Sequence, residues 1–221
     1  MCAEWFKRRL RQRNVHEVIF QIQSSTHIDR SVVNGNKMLL HLANGILDLE
    51  RMTLLEFTPK IVGTIKINVK YDPEAKCPEI DKFLSEILAS DDTTLIHELC
   101  GYCLFREYVI HKAFLFLGEG ANGKSTLLNL IKAFLGSENV SAIPLQDIEN
   151  RAFSISELYN KLANFSQDLP DKALMQSGKF KGLTGMDGMD AEKKFMDHFT
   201  FVNYAKMAFS CNKIPESHDL T

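Results

Sequence analysis

Between residues 37 and 69 the apolar positions come in short clusters, MLLHLANGILDL, LLEF and IVGTIKINV, broken by Asn44-Gly45 and Gly63. Brief apolar runs punctuated by turn-forming residues predict short strands joined by tight turns. Tyr71-Asp72-Pro73 ends that texture, and from Ile80 the apolar residues recur at Phe83, Leu84, Ile87 and Leu88, the spacing of one helix face. A second helix is predicted over residues 94–106. The texture changes again at residues 113–117, AFLFL, a continuous apolar run of the kind that a buried strand of a parallel sheet requires. It opens directly into GEGANGKS and then into the helical pattern STLLNLIKAFLG, which stops at Gly136. Further on, Ser154-Ile155-Ser156-Glu157 has the form of a capping box and predicts another helix. Residues 162–165 predict a second core strand, and residues 205–210 a third that closes at Cys211-Asn212. Strands alternating with helices behind a smaller mixed section place the chain in the α/β class, with a central parallel sheet.

Composition narrows what such a fold can be for. The chain has 221 residues, of which 45% are hydrophobic and 10% aromatic, enough for one large domain or two small ones and unlike a disordered tail. Lys and Arg number 26 against 28 Asp and Glu, a net charge of -2, which excludes a polycationic nucleic-acid coat; any nucleic-acid contact must be local. Lys7, Arg8, Arg9, Arg11 and Arg13 form a basic N-terminal run beside Trp5, a solvated helix face or a nucleic-acid contact. No apolar run approaches the ~20 residues of a membrane span, and no apolar segment follows the basic run, so a soluble cytoplasmic protein is expected, with no membrane partner. The five cysteines, Cys2, Cys77, Cys100, Cys103 and Cys211, are odd in number and scattered, which suits a reducing compartment. Cys100 and Cys103 form a CxxC with His97 upstream. The apolar setting and the lack of a second ligand pair favour packing over metal.

The segment with chemistry in it is Gly118, Glu119, Gly120, Ala121, Asn122, Gly123, Lys124, Ser125, Thr126, which meets GxxxxGK[ST] at every fixed position. At average residue usage that pattern arises by accident about once in a hundred chains of this length. A strand is predicted before it and a helix after it, as a phosphate-cradling loop needs. Glycines let backbone N–H groups approach phosphate, and the helix N-terminus faces it with partial positive charge. ATP and Mg²⁺ are the expected cofactors, with Lys124 on the β- and γ-phosphates and the Ser125 hydroxyl on the metal. A carboxylate at the end of a neighbouring strand should complete the metal shell. Asp168, closing KLANFSQD, is the candidate and Asp171 the fallback, although Gln167-Asp168 lacks the second acid that many such ATPases carry.

GEGANGKST, ANFSQDLP, FKGLTGMDGMDAEKKF and NYAKMAFSCNKIP, in that order and spacing, resemble motifs A, B, B′ and C of superfamily 3 helicases. The resemblance is to the phage, plasmid and virus primase-helicase branch that includes the poxvirus primase-helicase. LANGILDLE, VKYDPEAKCPEIDKFLSEIL and GYCL resemble the accessory domain that precedes the core in that branch, so the likeness covers roughly residues 35–221. It implies an accessory domain over residues 1–107 and an AAA+-type P-loop ATPase core over residues 108–221. The activity it implies is an ATP-driven helicase of a viral, proviral or plasmid replication protein, in a prokaryotic or virus-infected cell. Its partners would be single-stranded DNA, further copies of itself in a hexameric ring, and a primase or polymerase domain. Asn212 matches the motif C residue that senses the γ-phosphate and orients water. The B′ segment matches at Lys181, Thr184, Gly185, Asp187, Glu192 and Lys194, and in the family leads into a DNA-contacting hairpin, for which Lys181, Lys193, Lys194 and His198 are the candidate contacts.

The family's arginine finger lies C-terminal to motif C, and this sequence has no arginine after Arg151. A core incomplete at its C-terminus is therefore expected, binding nucleotide but hydrolysing it poorly alone, since such a finger contributes about 10³–10⁵ in turnover. The alternative function is an assembly or loader switch that binds ATP without translocating. A small-molecule kinase would leave the B′ segment unexplained.

Overall fold

The computed structural model describes residues 12–29, 31–120, 122–151, 153–167, 169, 177–194 and 197–214. The basic run from Lys7 to Arg11 lies outside the described residues, and the first helix, α1, spans Gln12–Ser25. Val18, Ile19, Phe20 and Ile22 on it are all exposed.

The clustered apolar runs form a three-stranded antiparallel meander, β1 (Leu39–His41), β2 (Ile46–Asp48) and β3 (Thr53–Leu55). The Asn44-Gly45 turn joins the first two, with the Leu42 N–H donating to the Gly45 carbonyl at 2.8 Å. Two helices follow, α2 (Pro78–Ile87) and α3 (Ser90–Leu104). Pro78 suits the first turn of α2, where no amide donor is missed, and Glu79, Asp81, Asp91 and Asp92 set negative charge at the two positive helix ends. Leu84, Ile96, Leu99 and Cys103 make the buried stripe of this pair. Burial raises the Cys103 thiol to about 12 and the Cys100 thiol to about 11, so both pack as neutral apolar groups. Among the described residues no cluster of three or more His, Cys, Asp or Glu is placed to hold a metal.

The α/β core is a four-stranded parallel sheet of β4 (Phe114–Leu117), β5 (Val140–Ser141), β6 (Ala163–Ser166) and β9 (Lys206–Cys211), in the order β4-β9-β6-β5. Non-consecutive neighbours and parallel pairing are what a P-loop, AAA+-like sheet shows. Every residue of β6 and β9 is buried, the polar Asn164, Ser166, Lys206 and Ser210 among them, as the central strands of a parallel sheet covered on both faces are. β4 departs from the expectation of a buried strand. Among the described strands it pairs with β9 alone, and Leu115 and Leu117 are 41% and 52% exposed. Its continuous apolar run therefore belongs to a sheet edge.

Helix α4 (Lys124–Leu135) follows β4 and buries Leu127, Leu128, Ile131 and Leu135. These side chains share one hydrophobic cluster with Leu40, Leu42, Leu47, Ile65 and Ile67 of the meander region and Leu84, Leu99 and Cys103 of α2 and α3. A second cluster on the other side of the sheet gathers Tyr108, Ile148, Leu158, Leu183, Met207 and Phe209 around α5 (Leu145–Asn150) and α6 (Gly178–Gly185). The expected helix from the Ser154 capping box is a 3-10 turn over Ser154–Leu158 instead. The Ser154 hydroxyl is taken by the Asp147 and Arg151 carbonyls at 2.7 and 2.9 Å, which ties the segment to α5 and leaves no serine cap. After α6 the chain makes an antiparallel hairpin, β7 (Gly188–Ala191) and β8 (Phe199–Val202), before entering β9. No described helix is long and apolar enough to cross a membrane.

Candidate functional site

The loop between β4 and α4 is shaped by its glycines. Gly123, the residue preceding α4, has φ +87, a left-handed conformation that a side chain would strain, and a Cβ there would lie 3.1 Å from Ile87 of α2. A Cβ on Gly118 would lie 2.0 Å from the Asn122 amide nitrogen. The first helical hydrogen bond, from Leu127 N–H to the Gly123 carbonyl at 2.9 Å, leaves the N–H groups of the first turn at Lys124, Ser125 and Thr126 without an intrahelical acceptor. Among the described residues no side chain caps them. Lys124 folds back across the loop, its Nζ donating to the Gly118 carbonyl at 2.5 Å, the Glu119 carbonyl at 2.8 Å and Asn122 Oδ1 at 2.9 Å.

β9 brings the second half of the site. It lies beside β4, and the Gly118 N–H donates to the Cys211 carbonyl at 3.3 Å, so the strand end carrying Ser210 and Asn212 sits against the start of the loop. A cavity of about 360 Å³ is lined by Gly120, Asn122, Gly123, Lys124, Ser125 and Thr126 on one side and Ser210 and Asn212 on the other. Ser210 was not among the sequence candidates. Its signal is strand alternation, since it stands two residues before Asn212 and so projects to the same face. Ala121 and Asp168, together with the fallback Asp171, lie outside the described residues. Near Asp168, the Leu169 N–H donates to the Ser210 carbonyl at 2.8 Å and Gln167 donates to Asn129 of α4 at 3.4 Å, so the carboxyl end of β6 approaches both β9 and α4.

Behind the cavity, β9 is anchored by a cation invisible to the pattern of apolar positions. Lys206 is fully buried at the first position of the strand. Its Nζ donates to the carbonyls of Phe105, Glu107 (2.9 Å) and Tyr204 (3.0 Å) and lies 4.3 Å from the centre of the Tyr102 ring. Burial pulls its pKa down to about 8, against the opposing influence of Cys103 and Glu107. The neighbouring Arg106 is 5% exposed and reaches the opposite way, donating to the carbonyls of Leu39 (3.2 Å), Asn34 (3.3 Å) and Asn36; burial lowers its pKa. The Tyr108 hydroxyl accepts from the Met207 N–H at 3.2 Å and donates to the Lys112 carbonyl at 2.8 Å. Residues 105–108 are thereby stitched to the meander on one side and to β9 on the other.

The candidate nucleic-acid contacts fall in two places. Lys181 is on α6, whereas Lys193, Lys194 and His198 are in the exposed connection between β7 and β8. His198 Nε2 is 3.6 Å from the Glu192 carboxylate. Where the connection enters β8, Tyr159 meets Phe199 and Phe201 edge-on, with ring centres 5.1 and 5.4 Å apart.

Two family models match the chain. Residues 1–89 match "D5 N terminal like", and residues 116–221 match a family of unknown function, DUF5906. Among solved structures the chain is similar to the apo structure of the NrS-1 C terminal region at 17% identity and a TM-score of 0.55, over 83% of this chain and 56% of that one. A second structure of the same region, in its A form, is 21% identical over 65% of this chain and 35% of that one, with a TM-score of 0.51. The chain therefore spans between 35% and 56% of the length of these structures. No curated protein matches it significantly. The N-terminal match bears out the resemblance to the superfamily 3 primase-helicases, and the structural likeness agrees with the fold.

Proposed function

We propose that this chain is the nucleotide-binding part of an ATP-driven, DNA-handling motor of the superfamily 3 helicase type. The observation that carries the reading is the cavity that joins Lys124, Ser125 and Thr126, the first turn of α4, to Ser210 of β9 and Asn212 just beyond it. N–H groups of a helix first turn, a lysine and three hydroxyl-bearing residues line a space suited to a polyphosphate. Lys124 already holds three oxygen acceptors from its own loop; phosphate oxygens would replace them without the ammonium losing a partner. The same donor set fits a magnesium-bound nucleotide, with the Ser125 hydroxyl as a metal ligand and Asp168 as the carboxylate proposed from sequence. Bound Mg²⁺ supplies neutralisation of charge on the phosphates. Asn212, which lines the other side of the cavity, would hold the attacking water or read the terminal phosphate.

The accessory region over residues 1–107 and the core over residues 108–221, assembly into a hexameric ring in the cytoplasm, and association with a primase or polymerase domain extend this proposal from the resemblance. Single-stranded DNA would meet the β7–β8 connection through Lys193, Lys194 and His198, with Lys181 on α6 as a further contact. Calorimetric titration of Mg-ATP into the wild type and Lys124→Ala tests the reading. Micromolar to low-millimolar binding that falls about tenfold or more in the variant, roughly 1.4 kcal/mol, supports it. Two folded proteins that both fail to bind overturn it.

A further inference from the structure

A groove of about 720 Å³ lies between the 3-10 turn after α5 and the connection of the β7–β8 hairpin. Its floor is β5 with Ala142 just beyond it, at the end of the strand order β4-β9-β6-β5, and Lys161, two residues before β6, lies on its wall. The nucleotide cavity lies at the carboxyl ends of β4 and β9. In the strand order β4-β9-β6-β5 the two openings therefore sit at different edges of the sheet. One wall carries Phe153 and Tyr159, 45% and 37% exposed, with Glu157 between them; the other residues of the rim are Lys161, Lys193 and Lys194. Two exposed aromatic rings and three lysines thus line one groove. Tyr159 is braced edge-on by Phe199 and Phe201, and the Lys161 ammonium is braced by the Glu138 carbonyl, so neither is a freely swinging surface group.

We propose that this groove binds single-stranded DNA, bases stacking on Phe153 and Tyr159 and backbone phosphates meeting Lys161, Lys193 and Lys194. Every base has a π-face, so an aromatic wall holds a strand without selecting its sequence, while lysines follow its backbone. Glu157 repels phosphate, which fixes the polarity of the groove: bases toward the 3-10 turn, phosphates toward the lysines. The inference rests on the proposed DNA-handling reading and extends the contact from the hairpin connection to a built groove on the body of the domain.

Fluorescence anisotropy with labelled dT15, and with an abasic oligomer of the same length, tests it in the wild type and in Phe153→Ala, Tyr159→Leu, Lys161→Ala and Lys193→Ala/Lys194→Ala. Phe153→Ala should weaken dT15 by about fivefold to a hundredfold, the range of one lost stacking contact, and leave the abasic oligomer unchanged. Phe153→Trp should restore the affinity. Lys161→Ala should weaken both oligomers and lower the slope of log K against log salt by about 0.7, one phosphate contact on a single strand. If the two lysines of the hairpin connection matter and Phe153, Tyr159 and Lys161 do not, the groove is overturned and the DNA-handling reading stands. A wild type that binds Mg-ATP but no dT15 overturns both the groove and the DNA part of the proposed function. Competition by polyglutamate to the same extent as by unlabelled dT15 overturns the stacking arrangement in favour of an acidic peptide.

Discussion

Two lysines in this molecule do the same thing in opposite surroundings. Lys124 and Lys206 each donate to three oxygens, but Lys124 does so at the mouth of a cavity, from a loop that carries its own temporary acceptors. Lys206 does so in the core, where the acceptors are backbone carbonyls of two distant segments. At the mouth, water or phosphate can replace any acceptor, so the arrangement is exchangeable. In the core nothing replaces them, and the cation becomes part of the fold. The number of hydrogen bonds does not distinguish a binding lysine from an architectural one; access to a substitute acceptor does.

The comparison breaks first, if it breaks, at Lys206. Lys206→Met should cost about 3 kcal/mol or more in urea denaturation, because it strands the carbonyls of Phe105, Glu107 and Tyr204 in the core. A loss under 1 kcal/mol would mean that the cation is as dispensable as a surface lysine.

The same residue sets a pH signature. Its folded pKa of about 8 lies below the ordinary 10.5, so between those values the unfolded chain holds more protons and this group's contribution to stability rises with pH. Buried Tyr108, Tyr204 and Cys103, all shifted upward, act in the opposite sense once their unfolded forms ionise. The clean observable is therefore the difference in unfolding free energy between wild type and Lys206→Met. That difference should move in favour of the wild type from pH 8 to pH 10.

Gly123→Ala should cost about 1–2 kcal/mol through its positive φ, and weaken Mg-ATP binding as the start of α4 shifts against Ile87. Circular dichroism melts read with calorimetry separate the two effects. At the small end, Lys124→Ala should change stability by no more than about 0.5 kcal/mol while removing nucleotide affinity. If instead it destabilised the fold as Lys206→Met does, the contrast between exchangeable and architectural cations would be lost.

The nucleotide-loop half of the candidate site is legible in the sequence because its determinants are local. The strand, glycine loop and helix around residues 113–136 are written in consecutive spacing, and α2 follows from periodicity, whereas the helix expected over residues 94–106 begins earlier, at Ser90, as α3. What the sequence hides is set by distant partners. The exposure of β4 depends on which strands flank it, a matter of sheet order rather than of its own residues. The 3-10 turn at Ser154 arises because carbonyls of α5 and its C-terminal neighbour claim the serine that a helix would have used as its cap. Lys206 looks like an ordinary polar strand start, and two of its acceptors stand 101 and 99 residues earlier. Ser210 was readable from alternation with Asn212. The groove was not, since Phe153, Lys161 and Lys193 meet only through packing of the hairpin against the 3-10 turn.

The open edge of β4 has a practical consequence. Leu115 and Leu117 stand half out of the sheet on a strand that, among the described strands, pairs with β9 alone, a template onto which a second extended segment can be laid. Preparations of this chain should therefore have a concentration ceiling set by four residues rather than by net charge. Leu117→Lys should raise that ceiling, visible as slower growth of light scattering at high protein concentration, while leaving the parallel pairing with β9 in place.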